Sequence, residues 1–130
     1  MKASRVNAEF DQRVALPPPR AEDWVASPMA GVTRRMLDRV GDEVARATSL
    51  VRYAPASRFE RHEQGGGEEI LVLEGLFQDE YGDYPAGSWL RNPRWSRHTP
   101  FAGPEGALIC VKTGHLGAEL LVPGEVAAGG

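Results

Sequence analysis

The sequence predicts an all-β domain, a small jelly-roll β-barrel. Fifteen glycines and ten prolines interrupt the 130 residues at short intervals, and the segments between them have the length of strands rather than helices. Residues 48–53 divide into two alternating sets, which would lie on the two faces of a strand: Thr48, Leu50, Arg52 and Ser49, Val51, Tyr53. Closely spaced antiparallel strands of this kind favour a closed barrel, because closure leaves no exposed sheet edge. The chain length indicates one domain.

We interpret residues 1–20 as an N-terminal arm or linker, 21–122 as the barrel and 123–130 as a C-terminal tail. The arm ends in the run Leu16-Pro17-Pro18-Pro19, and prolines cannot pair within the middle of a sheet. We expect this arm to pack on a neighbouring subunit.

The predicted strands follow in chain order. The segment Val32–Val40 also fits an amphipathic helix, but the turn at Gly41-Asp42 favours a hairpin with residues 47–53. The run Ile70–Leu73 is entirely apolar and is therefore predicted to be buried on both faces or central in a sheet, with a turn at Gly75. Further strands are predicted over 88–92, where Pro93 ends the strand, over 94–100, returning toward the core, and over 107–112.

Composition excludes several classes of protein. The formal charge is −3 and no long basic block is present, so we expect no direct nucleic-acid partner. The single Cys110 excludes a disulfide framework within the chain and is expected to serve as a small apolar residue on a strand. We find no signal-peptide core and no apolar run of membrane-spanning length, so we predict a cytoplasmic protein.

Four side chains form a candidate metal site. His62, Gln64 and Glu68 lie within seven positions, and His98 follows a turn that can bring it back beside them. Imidazole nitrogen together with amide and carboxylate oxygen is a ligand set that divalent metals accept. The alternatives are that these groups are hydrogen-bonded polar residues without a metal, or that Gln64 only hydrogen-bonds to the ligands. Glu69 should face the opposite way from Glu68 and lie in solvent.

Other residues carry weaker signals. The run Gly65-Gly66-Gly67 is read as a flexible turn rather than a phosphate cradle, because no helix start follows it. Arg52 and Arg91 either point inward to fix an anionic substrate or face solvent, and His115 is expected on the surface. Five aromatic residues either line a ligand cavity or, as is commoner, pack in the core: Tyr53, Phe59, Phe77, Trp89 and Trp95.

The spacing of these residues resembles the two cupin motifs. In the first motif, Ala56 stands at the opening glycine, and His62, Gln64, Glu68 and Gly75 fall at the matching positions. The second is matched by Pro85, Gly87, Asn92-Pro93 and His98. Three segments resemble more closely the cupin domain of ChrR-type anti-sigma factors, with similarity from about Trp24 to Lys112: Gly67–Gly75, Gly82–Ser88 and Arg91–Pro93.

The resemblance implies a divalent metal held by His62, Glu68 and His98, with Gln64 at a fourth position where that family has histidine. Zinc is the expected ion, and iron, manganese or nickel are the alternatives. The full anti-sigma factors also carry an N-terminal helical domain that binds zinc and grips the sigma factor. We expect that domain to be absent, because the residues before the barrel are few and contain no histidine or cysteine.

Three functions remain open at this point. The first is a binding or sensing module in which metal or small-ligand occupancy alters a surface that a protein partner reads. The second is a metal-dependent enzyme, either a dioxygenase that cleaves aryl ketones or diketones, or a metal-assisted hydrolase. The third is a barrel whose metal site has decayed at Gln64. We favour the metal-binding module and expect a homodimer.

Overall fold

Ten antiparallel strands make up almost all of the regular structure. The computed structural model describes residues 5–42, 45–58 and 62–116, and for residues 62–64 it describes the backbone only. The strands are β1 Arg5–Val6, β2 Val25–Ala26, β3 Val32–Gly41, β4 Ala45–Tyr53, β5 His62–Gln64, β6 Glu68–Asp79, β7 Gly82–Pro85, β8 Trp89–Asn92, β9 Ser96–His98 and β10 Phe101–Thr113. Within the described residues the only helical element is the 3-10 turn Ala21–Asp23. The predicted all-β class is confirmed.

The strands form one large and one small sheet. The large sheet has the order β1-β3-β4-β10-β6-β7, with β2 added to β3 and β8 added to β6, and the small sheet pairs β5 with β9. The predicted hairpin of β3 and β4 is confirmed, and its register pairs Val32 with Tyr53. The strands β7 and β8 pair with successive halves of β6, so the long β6 lies between β10 and two short edge strands. The described part of the chain contains no helix long and apolar enough to cross a membrane.

One face of the large sheet, here called the core face, carries the buried side chains. Ile70 and Val72 of β6 are on this face and are almost completely buried. Leu71 and Leu73 alternate with them and are 42% and 39% exposed on the opposite, outer face. Of the two predicted alternatives for Ile70–Leu73, burial on both faces is therefore wrong, and a central position in the sheet is confirmed, because β6 pairs on both sides. Nothing among the described residues covers the outer face at this point, so the strand is half-buried despite its uniform hydrophobicity.

A bulge at Gly75 decides which later residues of β6 reach the core face. Val72 and Phe77 are both buried although five positions separate them, and strict alternation would put them on opposite faces. The pairing with β10 is irregular here, and Gly75 has a φ of 75°, as expected of a bulge residue. The predicted turn at Gly75 is wrong, because β6 continues through it. The inserted residue places Phe77 and Asp79 on the core face.

The N-terminal arm lies against the outer face of this chain's own sheet. Strand β1 pairs with the end of β3, and the Asn7 side-chain amide donates to the carbonyl oxygen of Leu37 at 2.7 Å. Farther along, the guanidinium of Arg46 stacks 4.6 Å from the ring centre of Phe10. Packing of the arm on a neighbouring subunit stays a prediction, as do the domain boundaries. The predicted tail, residues 123–130, lies outside the described residues.

The aromatic residues divide between the core and the surface. Phe77 is fully buried, and Tyr53 packs against it with ring centres 5.5 Å apart, as predicted for core aromatics. Trp89 and Trp95 are 56% and 62% exposed, so the expectation that they pack in the core is wrong. Trp89 lies on the edge strand β8, and Trp95 lies in the turn before β9 with a φ of 66°. Phe59 lies outside the described residues.

Candidate metal centre

The small sheet brings two predicted ligand positions opposite each other. Its register pairs His62 with His98 and Gln64 with Ser96. Residues directly opposite in an antiparallel pair have Cβ atoms about 4.5–5.5 Å apart, so the backbone permits the two histidine positions to serve one site. The side chains of His62 and Gln64 lie outside the described part of the structure.

Glu68 and His98 form a buried pair. Nε2 of His98 lies 2.7 Å from Oε1 of Glu68, and the two residues are only 2% and 4% exposed. Glu68 is the first residue of β6 and His98 the last of β9, so two strands far apart in sequence deliver them. The 2.7 Å separation is that of a direct hydrogen bond between the two side chains. In a tetrahedral zinc site, two ligand atoms about 2.0–2.1 Å from the ion are about 3.3 Å apart, so a bound ion would take the place of this hydrogen bond. The donor types suit a divalent metal.

A second buried acid, Asp79, lies behind His98. Its Oδ2 lies 3.9 Å from Nδ1 of His98, on the imidazole side away from Glu68. Its Oδ1 accepts hydrogen bonds from the Tyr84 hydroxyl and the Tyr81 backbone N–H, each at 2.9 Å. Metal-binding histidines commonly have such a carboxylate behind them, which fixes the orientation of the ring. The sequence analysis missed Asp79, because its place on the core face depends on the bulge at Gly75.

The surrounding charges favour a protonated His98 when no metal is bound. Burial by itself lowers the pKa of the imidazole. The hydrogen bond to Glu68 and the negative charges of Glu68, Asp79 and Glu80 outweigh burial, so that the pKa of His98 is raised. A proton and a metal ion would therefore compete for the same nitrogen.

Two further groups complete the described surroundings of Glu68. The Asn92 side-chain amide donates to Oε1 of Glu68 at 2.9 Å, from a position directly across the ladder. Tyr53 is also near, since its phenol pKa is raised first by burial and then by the charge of Glu68. Tyr53 is therefore a neutral hydrogen-bonding group at all ordinary pH values.

The outer face carries a separate ionic cluster around Glu69. Arg91 donates to Oε2 of Glu69 at 2.7 Å, and Nε2 of His115 lies 2.6 Å from Oε1. The pKa of Glu69 is lowered, mainly by the hydrogen bond to His115 and further by the hydrogen bond to Arg91. Partial burial acts in the opposite direction but does not outweigh them. The outward direction of Glu69 is confirmed, and so is that of Arg52 and Arg91. The expectation that His115 is a free surface residue is wrong, because its side chain is mostly buried.

Among residues with described side chains, no group of three or more His, Cys, Asp or Glu forms a metal site. Glu68 and His98 are the two members of the predicted set whose side chains the structure describes. Glu68 approaches Nε2 of His98, whereas Asp79 approaches Nδ1 on the other side of the ring. Asp79 therefore does not act as a third ligand to an ion bound at Nε2. A complete site needs His62, Gln64, or both.

Comparison with known structures defines the class of protein. The fold is that of a cupin. The chain aligns over 78% of its length with a crystal structure of an acetylacetone dioxygenase from Acinetobacter johnsonii, with a TM-score of 0.65, 17% identity and 74% of that chain covered. An RmlC-like cupin from Ralstonia eutropha matches over 78% of this chain and 70% of its own, with a TM-score of 0.59 and 15% identity. At these identities the likeness shows the fold alone.

The family follows from the sequence. Residues 12–117 match the model of the ChrR cupin-like domain, so the chain belongs to that family. A chain in the crystal structure of Rhodobacter sphaeroides SigE in complex with the anti-sigma ChrR is 25% identical, with a TM-score of 0.59 over 72% of this chain. This protein spans about half, 51%, of that chain. The search of curated proteins found no match.

Proposed function

We propose that this protein is a divalent-metal-binding cupin module that binds a small ligand and presents its occupancy to a protein partner. The observation that carries the proposal is the buried pair of His98 and Glu68, with Nε2 and Oε1 2.7 Å apart. Without a metal, a proton on His98 balances the charge of Glu68. A divalent ion would replace that proton between the same two ligand atoms, and the fold family uses these positions in this way.

Each residue has a definite part in the proposed site. His98 and Glu68 supply one nitrogen and one oxygen ligand, and His62 and Gln64 supply the remaining ligands from the opposite strand. Asp79 orients the His98 ring and is itself held by Tyr84 and Tyr81. Asn92 holds Oε1 of Glu68 in place. A bound ion would act as a Lewis acid toward an oxygen atom of the ligand. Zinc is the expected ion, with iron, manganese or nickel as alternatives.

A sensing role agrees with the similarity to the chain from the SigE–ChrR complex, in which the two named proteins are bound to each other. By analogy, we propose a protein partner for this chain too. A homodimer and a cytoplasmic location remain part of the proposal. The third alternative, a barrel without a functional metal site, is the outcome in which no metal is found.

Elemental analysis of untagged protein purified without chelator tests the proposal. We expect a near-stoichiometric divalent metal in the native chain and its loss in His98→Ala, Glu68→Gln and His62→Ala. His115→Ala is the matched control, since it removes a histidine that faces Glu69 on the outer face. Native protein without metal, or equal metal content in His98→Ala and His115→Ala, would contradict the metal site. Metal gained only by Gln64→His would identify a decayed site.

The enzymatic alternative stays a prediction. It is tested by measuring oxygen consumption of iron-loaded protein with a panel of aryl ketones and diketones, and by hydrolysis assays with zinc-loaded protein. Turnover that disappears in Glu68→Gln but persists in Glu69→Gln would support it. The absence of turnover in a metal-loaded protein would leave the binding module as the function.

A further inference from the structure

The N-terminal arm crosses the outer face of the large sheet and is anchored at both ends. At one end, β1 pairs with the last part of β3, and Asn7 donates to the carbonyl oxygen of Leu37 at 2.7 Å. At the other end, β2 pairs with β3, and the Asp23 carboxylate pairs with Arg35 at 3.0 Å. The arm between these anchors includes Pro17-Pro18-Pro19, a run that stiffens an extended chain. The arm is therefore a strap with a defined path over the sheet.

A cavity of about 550 Å³ separates this strap from the sheet beneath it. Phe10, Val14 and Leu16 of the arm line the cavity, and Leu37 of β3 lines it from the sheet. The three arm side chains are between 41% and 49% exposed, because they stand over the cavity instead of packing on the sheet. Small-molecule sites have volumes of roughly 300–1,000 Å³ and combine apolar walls with a few polar groups. The space under the strap has that size, and it is partly open to solvent, which gives a ligand access.

The floor of the cavity carries one negative and one positive group, with Thr48 between them. The register pairs Thr48 of β4 with Asp38 on β3 and with Lys112 on β10, and all three residues line the cavity. Their row lies on the outer face, because Thr48 alternates with the buried Ala47 and Ser49. The Cα atoms of Asp38 and Lys112 are two strand spacings apart, on the order of 10 Å.

The charges of Asp38 and Lys112 are not used within the described part of the chain. Neither side chain forms an ion pair or a hydrogen bond with another described residue. Glu9, the other acid that lines the cavity, pairs with Arg5 at 3.3 Å. Glu69, the cross-strand neighbour of Lys112, is held by an arginine of β8 at 2.7 Å. A molecule that enters the cavity therefore meets a carboxylate and an ammonium group that the described side chains leave unpaired.

The separation of the two charges fits a compact zwitterion. Side chains on a strand stand roughly perpendicular to the sheet, so Asp38 and Lys112 rise side by side from the outer face. Two charge-assisted hydrogen bonds of about 2.8 Å leave roughly 4 Å of the Cα separation for the ligand. The ammonium and carboxylate groups of an α-amino acid, which are attached to the same carbon atom, fit this span. The Thr48 hydroxyl can donate to or accept from either group.

We propose that the cavity under the arm binds a small zwitterion with an apolar side chain, the chemical class of the apolar amino acids. The ligand's ammonium group pairs with Asp38 and its carboxylate pairs with Lys112. Its apolar side chain lies against Phe10, Val14 and Leu16, which removes part of their surface from water. Both signs of charge and the apolar wall are needed to select this class over simple amines, simple acids and hydrocarbons.

This inference goes beyond the proposed function and does not depend on it. The cavity lies on the outer face of the large sheet, whereas Glu68 and His98 are buried on the opposite side. The two sites are therefore separate, and a ligand can bind under the arm whether or not a metal is present.

Calorimetric titration with phenylalanine tests the proposal against two analogues that each lack one charge. Phenylpropanoate lacks the ammonium group, and phenethylamine lacks the carboxylate. We expect the native protein to bind phenylalanine at least tenfold more tightly than either analogue. Asp38→Asn should bind phenylalanine no better than phenylpropanoate, and Lys112→Met should bind it no better than phenethylamine. Val14→Ser should weaken phenylalanine binding severalfold, because it removes part of the apolar wall.

Two control variants change charges on residues that do not line the cavity. Asp83→Asn removes an acid of β7 and Arg52→Met removes a base of β4, and both should bind phenylalanine as the native protein does. Thermal unfolding without ligand checks the fold: Asp38→Asn and Lys112→Met should keep the native Tm, since neither loses an ion pair with a described side chain. Native protein that binds no phenylalanine, or the same discrimination among the three ligands by native protein and both charge variants, would overturn the inference.

Repeating the titration after treatment with a chelator separates this site from the metal centre. Phenylalanine binding that persists without metal would support the inference, even in a protein that takes up no metal and so fails the test of the metal site. Loss of phenylalanine binding on metal removal would place the ligand at the metal centre and overturn the inference.

Discussion

Replacing Asp79 by asparagine should weaken metal binding without disturbing the fold. The Asp79→Asn side chain would keep the size of the original and one oxygen acceptor for Tyr84 and Tyr81, but it would remove the negative charge 3.9 Å from Nδ1 of His98. Two unit charges at that distance interact by about 4 kcal/mol at an effective dielectric constant of 20. A metal-bound imidazole carries only part of a charge, so a smaller effect is expected, about 10–100-fold in metal affinity. This corresponds to roughly 1.4–2.7 kcal/mol.

Competition with a chromophoric chelator measures this zinc affinity directly. Asp83→Asn is the matched control, because Asp83 lies exposed on the neighbouring β7 and bonds only to Gln78 among the described contacts. Cobalt substitution adds a readout of ligand geometry, since the visible absorption of Co²⁺ changes when the His98 ring rotates. An affinity of Asp79→Asn within threefold of the native value, together with loss of metal in His98→Ala, would refute the role assigned to Asp79.

Three further predictions concern the fold. Gly75→Ala should destabilise the domain by more than the ~1–2 kcal/mol of a left-handed backbone alone, because the added Cβ would collide with the Gly106 carbonyl oxygen. Urea unfolding measures this change, and a decrease in unfolding free energy below about 1 kcal/mol would contradict the bulge geometry. Burial raises the pKa of the Cys110 thiol, so its alkylation rate at mildly alkaline pH should be lower than that of a free thiol in the unfolded chain, and equal rates would contradict this. Burial, followed by the hydrogen bond to Asp79, raises the pKa of Tyr84 to about 12. The contribution of the neutral Tyr84 phenol to stability is therefore complete below pH ~10 and is lost as pH rises through about 12. Tyr84→Phe should flatten that part of the profile of unfolding free energy against pH, and an unchanged profile would contradict this role of Tyr84.

Much of the fold was predictable from local signals. Glycine and proline positions marked some strand ends, such as Pro93 after β8, and the turn after Val40 identified the β3–β4 hairpin. They failed at Gly75 in β6 and at Gly103 and Pro104 in β10, which begins at Phe101 rather than at the predicted Ala107. For β6 the central position was predicted correctly, but burial on both faces was not, because hydrophobicity alone does not say whether a sheet face is covered. The arm covers the outer face at β3 and β4, as the contact of Phe10 with Arg46 shows, but Leu71 and Leu73 lie beyond that cover and remain exposed.

The candidate site was predictable only where its residues belong to a short motif. The spacing of Glu68 and the position of His98 after a proline turn sufficed to bring both into one predicted set of ligands. Asp79 could not be placed in that way, since its direction depends on the residue that the bulge at Gly75 inserts into β6. Counting alternate residues from Glu68 without that insertion puts position 79 on the outer face. The one available signal was the glycine within a strand pattern, which marks bulges.

The arginines illustrate the same limit of sequence reasoning. From the sequence, Arg52 and Arg91 could either point inward to fix an anionic substrate or face solvent, because both stand within strand patterns. The alternation of a strand shows which residues share a face. It does not show which of the two faces is buried, and that needs a reference residue known to be in the core. Val51 provides that reference in the structure: it is buried, its chain neighbour Arg52 must point outward, and its ladder partner Arg34 must point inward. The inward arginine of this hairpin is therefore Arg34 of β3, and the outward one is Arg52 of β4.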